Sequence, residues 1–339
     1  MTRHRVGIIG LGMASAPHVA ALAALAPRVE VAACFSPSAE RRERFAAMHR
    51  LPVVPLIAEI FEDPTIDFLL VLTPPATHLA LVERAAQAGK HVLLEKPLEI
   101  SAARASAAVA AMERAGRTLG VVLQHRFRAV ARRLADVLAG GELGEILSAG
   151  AVIRWWRPLS YFAQAGRGMK ARDGGGVLLT QAIHTLDLLL HLVGPVQRGF
   201  AFARRSGLRA IDTEDIVAAS LEFASGAIGA LDATTIAYPG FPERIEIAGR
   251  AGSAVLVAET LDVFFQNGEH LHIEGGPSRS GGVDPMAFSP EAHTALLADF
   301  LDALDGGREP LASGASALAV QVLIEALLRS AESGEAVRI

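Results

Sequence analysis

Two stretches of this sequence combine residue types and spacings that can do chemistry. In the first, the apolar run "HVLLE" (91–95) ends in Glu95-Lys96-Pro97. A lysine at a strand end inside a cleft can hydrogen-bond a reacting hydroxyl, and desolvation would bring its pKa toward the range of a general acid or base. The plainer reading pairs Lys96 with Glu95 or solvates it at a strand terminus. Two more apolar runs end in polar residues, one in Thr73-Pro74-Pro75 with His78 beyond, the other in Gln124-His125-Arg126. The second stretch is "DGGGVLLTQAIHTLDLLLH", where Thr180, His184, Asp187 and His191 are separated by 4, 3 and 4 residues. At about 100° per residue they fall within roughly 60° of arc on one helix face. His184 there can transfer a proton or anchor a substrate, or the stripe can be polar groups satisfied in a core or interface. The three glycines Gly174, Gly175 and Gly176 allow backbone to approach a ligand or another strand. A metal site is the poorer reading of this helix, because no second ligand cluster is evident. Serine-hydrolase chemistry finds no Gly-x-Ser-x-Gly to support it.

A nucleotide loop precedes both stretches. "GIIGLGMASAPH" holds Gly10-x-Gly12-x-x-Ser15 between an apolar run and a helical pattern. Gly10 suits the tight turn, and Gly12, with Met13 beside it, lets backbone N–H groups approach a pyrophosphate at a helix N-terminus. Ser15 stands where a third glycine is usual. The alternative is a glycine turn that binds something else. At the tip of the second strand, Phe35 occupies the place of the carboxylate that would accept bonds from a ribose 2′-hydroxyl. Ser36, Ser38, Arg41 and Arg42 follow. Hydroxyls and guanidinium groups suit a 2′-phosphate, so NADP(H) is expected over NAD(H), unless the two arginines are only a solvated helix face.

The elements that must position these residues alternate in period. Up to residue 123, continuous apolar runs (5–10, 29–35, 66–73, 91–95, 118–124) alternate with helical patterns (15–25, 37–50, 76–89, 101–116). That implies a doubly wound parallel α/β sheet covered on both faces, with ligands at the carboxyl ends of its strands. From 124 to 339 the pattern changes to a helix (129–140), a long strand (145–156), the striped helix (177–194) and strand candidates at 215–224, 226–238, 243–249, 253–259 and 261–266. Two helices close the chain, at about 290–305 and 313–331, and "GGPSRSGGVDP" (275–285) reads as a surface loop. The second half is therefore expected to be an α+β domain with a mainly antiparallel sheet.

Composition narrows the function classes. The 339 residues are 51% hydrophobic and 20% charged, enough apolar material for two cores and against disorder. With 32 basic and 36 acidic residues the formal net charge is −4, and no basic block supports nucleic-acid binding. A single cysteine, Cys34, makes no internal disulfide. No secretory segment or membrane span is read from the apolar runs, and a cytoplasmic protein is expected.

Taken in order along the chain, "VGIIGLGMASAPH", "TPPATH", "LLEKPLEIS", "WWRPLSYF", "RDGGGVLLTQAIHTLDLLLHLVG" and "ERIEIAGRAGSAVL" resemble the Gfo/Idh/MocA oxidoreductases. The resemblance implies an N-terminal Rossmann domain and a C-terminal α+β domain whose open sheet makes homodimers or homotetramers. It implies hydride transfer between a nicotinamide and a carbinol carbon of a sugar, cyclitol or related polyol. Lys96 falls at the family's catalytic lysine and His184 at its active-site histidine. Thr180 replaces a common aspartate, which shifts weight onto Lys96 and His184. On this reading Ser36 and Arg41 approach the adenosine ribose. Thr73, Pro74, His78, Glu95 and Gln124 line the cofactor path. Thr180 and Asp187 orient substrate or histidine, and Trp155, Arg157 and Tyr161 border the pocket. Arg126, Arg157, Arg167 and Lys170 raise the further option of an acidic substrate, such as a sugar acid or carboxylated dihydrodiol. Two rivals share the fold: a glycosidase with retained NAD, and a non-catalytic ligand sensor.

Overall fold

The computed structural model describes residues 3–275 and 290–339; the expected loop from 276 onward lies outside them. The chain forms two compact units. The first contains the chain up to Leu123, together with the helix Pro290–Gly306 and residues up to Leu318. The second runs from Gln124 and takes up the chain again from Ala319. The sequence reading placed the whole closing segment in the second half. Helical periodicity gives the helix Pro290–Gly306 an apolar face but not the core that face enters. Leu296, Leu297, Phe300 and Leu301 are buried, and Phe300 meets Phe68 edge-on at 5.3 Å in the first unit.

The first unit is built on five parallel strands: β1 (His4–Ile9), β2 (Val29–Phe35), β3 (Phe68–Val71), β4 (His91–Leu94) and β5 (Leu119–Val121), in the order β2-β1-β3-β4-β5. β3 is buried at every residue, as is β4 after His91. That is why these strands read as unbroken apolar runs: helices cover both faces of a parallel sheet. The order reverses at β1, which pairs with β2 on one side and β3 on the other, and such a switch opens a crevice at the strands' carboxyl ends. Local capping starts the helices. The Ser38 hydroxyl accepts the Arg41 N–H (3.2 Å), and the Ser101 hydroxyl accepts that of Arg104 (3.3 Å).

The second unit carries a nine-stranded sheet. Its strands are β6 (Ile146–Arg154), β7 (Val196–Arg204), β8 (Ile216–Phe223), β9 (Ile228–Thr234), β10 (Arg244–Gly249), β11 (Gly252–Val257), β12 (Thr260–Phe265), β13 (His270–Glu274) and β14 (Val337–Arg338). The order is β13-β12-β11-β10-β6-β9-β8-β7-β14, antiparallel throughout except for β6 with β9. Burial alternates along the strands, as in β8 and β12, because one face packs inward and the other stays open. The sequence reading missed β7 and β13. Polar residues interrupt both, and only pairing with β8 and β12 defines them. Two helical stretches, Lys170–Val193 and Gly314–Ser333, reach the length and hydropathy of a membrane span, contrary to the sequence reading. Their apolar windows are 72% and 50% buried in the protein, the behaviour of core helices.

Candidate active site

The nucleotide loop joins β1 to the helix Ser15–Ala24. Gly10 has φ +104°, and a Cβ there would lie 2.7 Å from the Leu72 carbonyl carbon. Only glycine satisfies both the left-handed backbone and the close approach to the end of β3. A Cβ on Gly12 would meet nothing within 4 Å, so the loop leaves open space beside the helix N-terminus. The Ser15 hydroxyl donates to the Gly12 carbonyl at 2.7 Å, closing the loop in place of a third glycine. Met13 is 60% exposed at the loop tip. At the end of β2, Ser36 is buried, and its hydroxyl has no hydrogen-bond partner. Arg42 donates to the Ser36 carbonyl at 2.6 Å, while the Arg41 side chain is exposed. An open glycine loop at a helix N-terminus and an unsatisfied hydroxyl at the ribose end fit a dinucleotide.

Around Lys96, several polar groups hold backbone. Glu95 Oε2 accepts the Lys96 N–H at 3.0 Å, and Glu95 Oε1 accepts from His18 Nε2 at 2.8 Å. Burial alone would push the Glu95 carboxyl up; the His18 hydrogen bond and the neighbouring His18, Lys96 and His293 charges bring it below its ordinary value. Glu95 is thus an ionised brace rather than a lining of the cofactor path. His78 is fully buried, with Nε2 2.8 Å from the Thr73 carbonyl and Nδ1 3.1 and 3.2 Å from those of Pro97 and Leu98. Burial pushes its pKa down against the pull of these carbonyls. His78 therefore ties the end of β3 to the Lys96-Pro97 turn, whose peptide bond is cis, instead of facing a ligand. Thr73 stays half-buried and accepts from the Thr77 hydroxyl at 2.7 Å, and Pro74 is exposed. The sequence reading missed His18, whose signal was its place one turn into the helix after the glycine loop.

In the second unit the striped helix departs from its expected geometry. Residues Leu178–Ala182 form a π-helical turn before the α-helix Ile183–Val193. A π turn adds residues per turn, so the arc calculated for regular α-helix does not carry across from Thr180 to His184. The Thr180 hydroxyl donates to the Gly176 carbonyl at 2.7 Å and to the Gln181 side chain. Gln181 in turn donates to the Tyr161 hydroxyl at 3.2 Å. Gly176 allows a close backbone approach: Val177 N–H reaches the Glu214 carbonyl at 2.9 Å, and a Cβ on Gly176 would lie 1.9 Å from that oxygen. Glu214 also accepts the Gly176 and Leu178 N–H groups at 3.0 and 3.2 Å.

Asp187 is fully buried and takes a two-point ion pair from Arg126, at 2.6 Å from Nε and 2.5 Å from Nη2. Burial pushes the carboxyl up and the guanidinium opposes it. Asp187 and Arg126 therefore satisfy each other, and neither is placed as a substrate contact. His191 is pushed down to about 4 by burial and by Arg126. His184 is buried and stacks on His125 with ring centroids 5.0 Å apart; His125 Nε2 lies 2.7 Å from Arg128 Nη2. Gln124, in the same turn as His125, is buried with its side-chain oxygen unpartnered. Trp155 and Arg157 are each 2% exposed, with the guanidinium 4.9 Å from the Trp155 ring and 5.5 Å from Tyr161. Trp155 and Arg157 are thus enclosed in the protein, and Tyr161 is half-buried. Arg167 stacks on Tyr161 at 5.1 Å, and Lys170 is exposed.

Comparison with known proteins agrees with this geometry. Residues 4–123 match the oxidoreductase family with NAD-binding Rossmann fold known as Gfo/Idh/MocA, and residues 131–255 match that family's C-terminal domain. The uncharacterised oxidoreductase YdgJ of Escherichia coli is 30% identical over 97% of this chain and 96% of its own. The myo-inositol 2-dehydrogenase of Thermotoga maritima is 29% identical over 73% of each chain. The solved structure of levoglucosan dehydrogenase with NADH and levoglucosan superposes with a TM-score of 0.89 at 25% identity, covering 100% of this chain and 99% of that one. The chain belongs to the Gfo/Idh/MocA family of NAD-binding oxidoreductases.

Proposed function

We propose that this oxidoreductase interconverts a carbinol and a carbonyl on a small polyol: a sugar, cyclitol, sugar acid or dihydrodiol. The nicotinamide nucleotide supplies the hydride donor or acceptor. The loop Gly10–Met13 binds its pyrophosphate, and Thr73, Pro74 and Gln124 line its path. Lys96 holds the reacting oxygen and moves its proton. In the second unit His184 anchors substrate, with Thr180 and Tyr161 setting its orientation. The observation that carries this reading is the bracing of Lys96. A half-buried, ionised Glu95 holds its N–H and His78 holds the carbonyl after it, an arrangement that suits a proton-transfer group needing fixed geometry.

We further propose NADP(H) over NAD(H), supported by Phe35 in place of a carboxylate, the unsatisfied Ser36 hydroxyl, and the exposed Arg41. The first unit is the cofactor domain. The second is the substrate domain, whose open sheet face, carrying Val152, Phe202, Ile228 and Phe264, makes a homodimer or homotetramer of a cytoplasmic enzyme. Reduction of NADP+ and of NAD+ is to be screened across sugars, inositols, sugar acids and dihydrodiols. Turnover of a polyol with a lower KM for NADP+ is expected. A lower KM for NAD+ rejects the nucleotide preference, and release of sugar without net redox change rejects the dehydrogenase reading.

A further inference from the structure

The second unit holds a side-chain cluster that the redox chemistry does not use. β13 is the edge strand of the sheet, and His270 and His272, two residues apart, project from one face of it. The antiparallel register sets His272 opposite Asp262 on β12. Leu261 and Val263 on β12 are buried, so Asp262 and both histidines stand on the open face. His270 Nε2 and His272 Nδ1 both reach one oxygen, Asp262 Oδ1, at 2.9 and 2.7 Å. One ligand atom from each of the three residues lies within 4.8 Å of the other two. Phe264 stacks on His270, with centroids 4.4 Å apart and planes 6° from parallel, which fixes that ring's orientation.

We propose that Asp262, His270 and His272 bind a divalent transition-metal ion of the zinc, nickel or copper class. Two imidazole nitrogens and a carboxylate oxygen are the donor set such ions prefer, and calcium and magnesium favour all-oxygen sets. With metal–ligand distances of about 2.0–2.2 Å, ligand atoms sit roughly 3.3 Å apart around a tetrahedral ion. The present N···O contacts must therefore open by about half an ångström, each neutral imidazole keeping its proton on the ring nitrogen that does not face the ion. The histidine side chains are 44% and 50% exposed and can make that movement without disturbing a core. The set His18, Glu95 and His293 also lies within 4.8 Å, but His18 and Glu95 are 6% and 15% exposed and already brace Lys96. Opening that cluster would move buried helix, so the edge-strand cluster is the site.

The test is calorimetric titration of the full chain, stripped with chelator, with ZnCl2 and separately with NiCl2. One saturable ion per chain is expected. His270→Ala with His272→Ala should weaken binding by more than about tenfold, the least that loss of even an outer partner costs. Asp262→Asn should weaken it as well, and all variants should keep the wild-type melting temperature. Absence of saturable binding by the wild type overturns the proposal, as does undiminished affinity in the double variant.

Discussion

The Lys96 turn in the first unit and the Thr180–His191 stretch in the second both place polar residues beside apolar ones, and they satisfy them differently. At Lys96 the surrounding side chains bind backbone: Glu95 takes the Lys96 N–H, and His78 spans the carbonyls of Thr73, Pro97 and Leu98. In the helix, side chains satisfy side chains: Arg126 closes on Asp187, His125 stacks on His184, and Thr180 meets Gln181. A group tied to backbone fixes where the chain turns. A buried charge tied to another charge fixes which elements meet, and it is costly to break. The comparison teaches that one half is built to hold a single turn still, and the other to bring helix and turn together around a histidine.

Replacing each half's central group should have different consequences. Lys96→Ala is expected to lower kcat by about 10²–10⁴-fold, the usual contribution of a positioned acid–base group, with little change in melting temperature. Activity within a few-fold of wild type in steady-state assays would remove Lys96 from the mechanism. Asp187→Ala removes the carboxylate from a buried ion pair, so urea unfolding should show a loss of about 3–5 kcal/mol. A variant of undiminished stability with only a raised substrate KM would return Arg126 and Asp187 to the substrate contacts.

The glycines sharpen the contrast. Gly176→Ala drives a methyl against the Glu214 carbonyl and should cost about 1–3 kcal/mol, as overpacking does, leaving nucleotide KM unchanged. Gly12→Ala meets no protein atom, so its melting temperature should hold while nucleotide KM rises. The reverse pattern would show that the loop is only a packing turn.

The smallest effect is a pH slope carried by one histidine from each unit. His91, whose Nδ1 accepts the Thr118 N–H at 2.9 Å, is pushed down to about 4 mainly by burial, and His191 reaches about 4 by burial and Arg126. An unfolded histidine titrates near about 6.5. Below that pH the unfolded chain takes up protons that the folded chain does not, so stability is lost as pH falls from about 6.5 toward 4. Melting temperature should decline over that window, and His91→Gln should flatten the decline. An unchanged slope in that variant would contradict the assignment of His91.

The strands of the first unit were legible because each is buried on both faces and reads as a short apolar run with glycine or polar residues after it. The glycine loop, Lys96 and His184 were legible because strand ends and a polar stripe on an apolar helix stand out locally. Arg126 and Asp187 misled for the same reason: a charge in an apolar stretch looks like a ligand contact until its partner, 61 residues away, is known. His78 misled because a buried histidine and an exposed one have the same letter, and only enclosure by three carbonyls tells them apart.

By itself the sequence determined the alternation of strands and helices, the glycine loop and the place of Lys96 at a strand end, all of which depend on neighbours a few residues apart. Tertiary structure alone decided that the helix Pro290–Gly306 belongs to the first unit. It alone decided that Gly176 lies against the Glu214 backbone and that Asp262 meets two histidines across β12 and β13. Those outcomes depend on register and on which faces are buried against which, and nearby residues do not encode that pairing.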